Sequence, residues 1–263
     1  MNTKFIRLLI IFIFLTALST KCFSGGQGLK IYALRYGKST FQNRFVFYGD
    51  KSGGTVPFSW MFYYIEYGDK KILIDTGFND SKMSKMFGIT DFKDPVAILD
   101  EKGIKADRIT DVIITHSHFD HIGNAHRFKN ARFIINKDEL AELNKGKSLG
   151  DVKKFLNSSS KVTVFDESTV LYDMFTIKKV GGHTKGSSVV FFNYNNEEYC
   201  FTGDEVYLRD NITRNTGNGS VVNHSNNIGF IDLIRKGNYK LFIFHDNKYA
   251  EMKERFIKVF PAD

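Results

Sequence analysis

The chain has 263 residues, 42% of them hydrophobic and 25% charged, with a formal net charge of +8. That balance belongs to a folded protein able to bury a sizeable core, and it excludes a disordered, collagen-like or coiled-coil chain. The basic residues are scattered rather than gathered into the stripe that nucleic-acid binding requires, so nucleic acid is not an expected partner.

Taken in chain order, Lys4 and Arg7 precede an apolar run from Leu8 to Leu18, followed by the small residues Ser19, Thr20, Ser24 and Gly25. This pattern predicts a secretory signal peptide over residues 1–24, a single domain over 25–263, and a periplasmic or secreted protein. Cleavage is expected after Ser19 or Ser24, and Lys21 before Cys22 argues against a lipid-modified cysteine. The run is too short to span a bilayer comfortably, so no stable membrane span is expected. Without residues 1–24 the chain loses three cations and no acid, which brings its charge to +5, and Cys200 is the one cysteine left. An intramolecular disulfide is then impossible, and Cys200 reads as a small buried strand residue.

Strands are predicted at Leu29 to Arg35, Trp60 to Glu66 and Lys71 to Ile74, the last two joined by a Tyr67-Gly68-Asp69-Lys70 hairpin turn. The Gly/Ser/Phe-rich segment 37–59 between them reads as a loop. Helix and strand then alternate: a helix at Pro95 to Lys102 ended by Gly103, an apolar strand at Asp111 to Thr115, a strand at Arg132 to Ile135 and a helix at Lys137 to Asn144. The second half repeats the plan, with strands at Phe175 to Val180, Ser187 to Asn193 and Glu198 to Thr202. A helix at Asn227 to Lys236, a strand at Lys240 to Phe244 and a last helix near Tyr249 to Val259 complete it. Mixed strands with helices outside them imply a layered α/β domain.

Directly after the apolar strand Asp111 to Thr115 comes His116-Ser117-His118-Phe119-Asp120-His121. Zinc prefers imidazole nitrogen and carboxylate oxygen, and a catalytic site keeps one position open for water. His116 and His118, two apart on an extended segment, point the same way and can grip one ion; Asp120 and His121, beyond a turn, can face a second. The alternative, a His-rich surface loop, gives no reason for this order of residues after a buried strand.

The motif resembles the signature of the metallo-β-lactamase superfamily, and the likeness runs in order along nearly the whole mature chain. It implies an αβ/βα four-layer sandwich. Ile72 to Phe78, ILIDTGF, is similar to the family segment preceding the site, with Asp75 orienting a ligand or the backbone. His183 in GGHTKGS, Asp204 in FTGD and His245 in FIFHD resemble the three remaining ligands. The implied metal set is therefore His116, His118, Asp120, His121, His183, Asp204 and His245, with Asp204 bridging two Zn2+; iron, manganese or cobalt also suit such donors. His126 and His224 are left over, as solvated or loop residues, and the TGNGS run at 216–220 lacks the strand-to-helix setting of a phosphate loop.

His118 stands where di-iron redox members resemble Glu, the chain is too short for the inserted domain of nucleic-acid-processing members, and Asp204 stands where one class of lactamase has a zinc-bound Cys. Pro57 to Trp60, Phe119 and Tyr207 in GDEVY are similar to N-acyl-homoserine lactone lactonases. The resemblance implies a small-molecule lactone or ester substrate, opened by a metal-bridging hydroxide. Tyr207 would steady the oxyanion, Asp120 would pass a proton to the leaving alkoxide, and the acyl chain would rest on Phe41, Phe45, Phe47 and Phe58. A β-lactamase or another periplasmic ester or thioester hydrolase is the alternative within the fold. A metal-binding protein without catalysis is the alternative outside it.

Overall fold

The polypeptide was analysed as a computed structural model that describes residues 28–261; the signal-peptide reading, with Cys22, lies outside them. The first two strands, β1 (Leu29–Gln42) and β2 (Thr55–Tyr67), form a long antiparallel hairpin around the short helix α1 (Asn43–Val46). Strand β3 (Lys70–Ile74) follows through the predicted Gly/Asp turn, then helices α2 (Ser81–Met86) and α3 (Pro95–Glu101). Next come β4 (Asp111–Ile113), α4 (Phe119–Ile122), β5 (Arg132–Asn136), α5 (Lys137–Lys145), α6 (Gly150–Ser158) and β6 (Val162–Phe165). The second half holds β7 (Ser168–Leu171), β8 (Phe175–Lys179), β9 (Ser188–Tyr194), β10 (Glu197–Phe201), α7 (Arg209–Thr213), α8 (His224–Lys236), β11 (Tyr239–Phe242) and β12 (Phe256–Phe260).

These strands make two sheets, one of seven in the order β12-β1-β2-β3-β4-β5-β6 and one of five in the order β11-β10-β9-β8-β7. Pairing is parallel from β3 to β6 and between β10 and β11, and antiparallel elsewhere. The period-two alternation of the strands sorts side chains between layers. In β2, Met61, Tyr63 and Ile65 enter the core between the sheets, where Phe175, Phe192, Phe201 and Phe242 meet them. Their neighbours Phe62 and Tyr64 face the other way, under Leu99, Leu143, Val152 and Leu156 of α3, α5 and α6. In β10, Tyr199 and Phe201 face the sheet–sheet core while Cys200 joins Phe230, Ile231 and Ile234 of α8. The result is the αβ/βα four-layer sandwich, with Cys200 buried and free as expected.

Two expectations are corrected. Residues 37–59 are not simply a loop: β1 continues to Gln42 and β2 starts at Thr55, paired from Gly37↔Trp60 to Gln42↔Thr55. The polar Lys38, Ser39 and Thr40 are tolerated because this arm is partly covered, and Ser39 gives its Oγ to the Trp60 indole N–H at 2.9 Å. Gly37 is required there, since a Cβ would stand 2.4 Å from the Ile89 side chain. The expected last helix is instead a single turn at Asn247–Tyr249 followed by β12, which pairs with β1 and seats Phe260 against Tyr194 and Tyr199. An otherwise bare β1 edge takes up this apolar stretch. Helix α8 starts three residues earlier than expected, where the Asn223 side chain caps it through Asn226 N. Helix α6 and strands β6 and β7 were not anticipated.

No helix among the described residues is long and apolar enough to cross a membrane. The sheet–sheet core should dominate stability. Phe201, buried against Tyr63, Phe192 and Phe242, is its centre, and Phe201→Ala should cost about 3–5 kcal/mol in urea unfolding of metal-free protein. A loss under about 1 kcal/mol would show that the sheets do not pack as described.

Candidate metal centre

The chain delivers its polar residues to one end of the sandwich because strands of both sheets stop there. β3 ends just before Asp75, β4 leads into residues 116–121, the loop before β9 carries His183, β10 runs into Asp204 and β11 into His245. The turns are tight: Asp75 is held at φ 66 and Gly203 at φ 50, where a glycine is at ease.

All seven sequence-predicted ligand positions meet in two contiguous groups, His116, His118, His183 and Asp204 in one and Asp120, His121 and His245 in the other. In the first group, His118 Nδ1 lies 3.1 Å from His116 Nε2 and 3.0 Å from His183 Nε2. Asp204 Oδ2 lies 3.6 Å from His116 Nε2 and 3.4 Å from His183 Nε2. In the second, His121 Nε2 is 3.3 Å from Asp120 Oδ2 and 3.1 Å from Asp204 Oδ1, and His245 Nε2 is 3.7 and 3.1 Å from the same two atoms. Donors bound at about 2.0–2.1 Å around a tetrahedral ion stand roughly 3.3 Å apart, so these are the edge lengths of two coordination shells. Asp204 turns one oxygen to each.

Hydrogen bonds on the far side of four of the five rings give their inward nitrogens free lone pairs. His121 Nδ1 donates to Asp75 Oδ2 at 2.6 Å, His183 Nδ1 to Ser220 O at 2.7 Å and His245 Nδ1 to Ser59 O at 2.8 Å. His116 Nδ1 sits 3.2 Å from Thr115 Oγ1. That hydroxyl already donates to Asp75 at 2.7 Å, so it accepts from the imidazole. Asp75, the sequence candidate for an orienting carboxylate, therefore fixes Thr115 and His121 together. Inside the cluster His121 Nε2 and Asp204 Oδ1 have no hydrogen-bond partner although they lie 3.1 Å apart. Two buried acceptors facing each other without a proton call for a cation between them. The donor set therefore fits a pair of metal ions.

Without metal, the site is electrostatically tense. Burial opposes ionisation of Asp204, but His121, His245 and His116 outweigh it and hold that carboxyl well below its usual range. Burial and the neighbouring His121 push His116 down, and burial depresses His183 to about 4. Burial also disfavours a charged His121, but Asp204, Asp120 and Asp75 outweigh it and raise that pKa above the usual histidine range, the electrostatic counterpart of the need for a cation there. Asp75 is raised by burial in spite of His121 and Thr115.

Several residues escaped the sequence reading. Buried Glu205 accepts from Gly182 N and His183 N at 3.0 Å each, from Ser187 Oγ at 2.5 Å and from Asn227 Nδ2 at 2.8 Å. Buried Glu139 on α5 holds Ser117, Thr184 and Gly186. Asn218 donates to the backbone oxygen of Asp204. The GDE triplet was a usable signal for Glu205; nothing local marked Glu139. Tyr207 is buried with its ring 5.6 Å from those of both His183 and His245. His126 and His224 join neither cluster; His224 stacks on Tyr48 at 3.7 Å. Of the four expected acyl-contact rings, Phe47 and Phe58 are buried in the core, while Phe45 is exposed and Phe41 half-buried beside Phe87.

Two metal-spaced donor groups at the open end of an αβ/βα sandwich define a class of metallo-hydrolase. The sequence pattern described as the Metallo-beta-lactamase superfamily matches residues 59–243. The chain belongs to that superfamily. Among curated proteins it is similar to a hydroxyacylglutathione hydrolase of Psychromonas ingrahamii, 31% identical over 112 residues. That match takes in 43% of this chain and 38% of the relative, so the likeness spans about two fifths of the relative's length. Among solved structures it is similar to an N-acyl homoserine lactone hydrolase with the product N-hexanoyl-L-homoserine at its catalytic metal centre, at 19% identity and a TM-score of 0.73, covering 89% of this chain and 98% of that one. It is also similar to AidC, a dizinc quorum-quenching lactonase, at 19% identity and a TM-score of 0.66, over 89% and 95% of the two chains.

Asp75→Asn would turn an amide N–H toward either His121 or the Thr115 amide, both of which donate. It should weaken binding of the more weakly held ion about 10- to 100-fold in a chelator competition. Equal affinities in variant and wild type would remove Asp75 from the centre. Stripping the ions with a chelator should lower the thermal midpoint, because a ligand bound only by the folded state stabilises it by about 2.7 kcal/mol at a hundredfold excess over its Kd.

Proposed function

We propose that the protein is a dinuclear zinc hydrolase that opens the ester ring of lactones such as N-acyl-homoserine lactones. The observation that carries this reading is Asp204, with Oδ2 toward one donor group and Oδ1 toward the other, and Tyr207 beside both. These residues would hold a pair of ions, one in each donor group. The seven donors are His116, His118, His183 and Asp204 on one side and Asp120, His121, His245 and Asp204 on the other. Zinc bound there would supply a water ionised near neutral pH and Lewis acidity at the carbonyl.

The chain's own residues account for the rest. Burial, with the nearby charges of Asp204 and Asp120, pushes the Tyr207 hydroxyl well above 10, so it stays a proton donor at neutral pH. It is suited to hydrogen-bond the oxygen that gains charge as water adds to the carbonyl. Burial opposes the charge of Asp120, but His121 outweighs it and keeps the carboxyl below its usual range. An ionised Asp120 takes the proton of the attacking water and gives it to the ring oxygen as the C–O bond breaks, leaving a hydroxy acid. The other ligands are buried while His118 is exposed, so substrate enters from the His118 side. Phe119, Phe87, Phe41 and Phe45 form a connected set of rings, with centroids 5.0, 6.4 and 6.0 Å apart in turn, that suits an acyl chain.

Thioester hydrolysis is the second reading, favoured by the partial likeness to a hydroxyacylglutathione hydrolase. The export reading rests on the residue pattern of positions 1–24; protein recovered from the cytoplasm with Met1 to Ser24 intact would contradict it. Assaying zinc-loaded enzyme on an acyl-homoserine lactone, a glutathione thioester and a cephalosporin, by acid release, should give the highest kcat/KM on the lactone; preference for either other substrate overturns the substrate assignment. Tyr207→Phe should lower kcat about 100-fold, the usual cost of one oxyanion donor, with metal content unchanged. Full turnover in that variant would take Tyr207 out of the chemistry.

A further inference from the structure

We infer that Glu139, remote in sequence from every ligand, is the positioning residue that locks the first metal group together. This inference rests on the metal-centre reading above. The imidazoles of that group come from two separate loops, His116 and His118 from one and His183 from the other. Glu139 joins them. Its Oε2 accepts from the backbone N–H and the hydroxyl of Ser117, both at 2.7 Å, between the two histidines. Its Oε1 accepts from Thr184 Oγ1 at 2.5 Å, next to His183, and from Gly186 N at 2.7 Å. The loop comes so close to α5 that a Cβ on Gly186 would meet Asn136 Oδ1 at 2.3 Å and Glu139 N at 2.9 Å.

The carboxylate is fully buried, and no Lys, Arg or His lies within ion-pair distance of it among the described residues. Two features offset the cost of that burial. Glu139 is the third residue of α5, where the positive end of the helix dipole lies. Four donors also converge on it. A neutral amide cannot replace it. Each oxygen receives a backbone N–H, which cannot reverse its role, so a glutamine in either orientation sets its NH2 against one of the two loops. The second group, Asp120, His121 and His245, has no bond to Glu139 and is braced by Asp75 and Ser59 instead.

Glu139→Gln should therefore weaken one of two ions and spare the other. In titrations of metal-free full-length protein with Co2+, followed by the ion's absorption bands and by bound stoichiometry, wild type should take up two ions. The variant should bind one as tightly as wild type and the other roughly 10- to 100-fold more weakly. Thr184→Val, which removes one donor and keeps the carboxylate, should weaken the same ion by less, and it serves if Glu139→Gln does not fold. Two ions at wild-type affinity in either variant, or equal weakening of both, would overturn the assignment, even where the thermal midpoint of the metal-free protein falls. A wild type that binds no Co2+ would overturn the metal-centre reading itself, and this inference with it.

Discussion

Five carboxylates, Asp75, Asp120, Asp204, Glu139 and Glu205, are buried at one end of the sandwich, and no Lys or Arg forms an ion pair with any of them among the described residues. Burying even one unpaired carboxylate is expensive. Backbone and hydroxyl donors satisfy Glu139 and Glu205, and His121 with Thr115 satisfies Asp75. Asp120 and Asp204 face only imidazoles whose far nitrogens already donate elsewhere. Divalent cations are the countercharge that this arrangement calls for, and the two donor groups are spaced to hold a pair of them.

The fold makes such a concentration possible by separating the two tasks. The core between the sheets is almost wholly apolar, rich in Phe and Tyr, and rigid enough to end five strands or strand-following loops within a few ångströms of each other. The polar chemistry is confined to the residues just past those ends, where the backbone is free to adopt turns such as the positive φ at Asp75 and Gly203. Three of the histidines are then aimed by a partner from another segment: His245 by Ser59 of β2, His183 by Ser220 beyond α7, and His121 by Asp75 just after β3. Ligand geometry is thus set by the mutual placement of elements rather than by any one loop.

That arrangement also explains which features could be read from sequence. The HSHFDH run, His183, Asp204 and His245 are legible because each follows a buried strand whose apolar pattern is itself clear, and the order of the segments matched a familiar one. The four-layer sandwich followed from that resemblance. Glu139 was invisible because its role arises from α5 packing across two loops, which no local pattern reports. Residues 37–59 misled because a strand arm that leaves the sheet carries polar residues on both faces. The last strand misled because its helix-like run of mixed residues acquires a β conformation only from the β1 edge beside it.

The two metal groups are not equivalent, and their difference bears on the reaction. His118 is exposed, whereas Asp120, His121 and His245 are buried against Phe58, whose ring stacks on His245 at 4.0 Å, and against Phe244. On the function proposed above, substrate would approach past the exposed His118 toward Tyr207, whose ring lies 5.6 Å from those of both His183 and His245. The partly buried rings of Phe119, Phe87 and Phe41, at successive centroid distances of 5.0 and 6.4 Å, add the apolar stretch on which the proposed acyl contact rests.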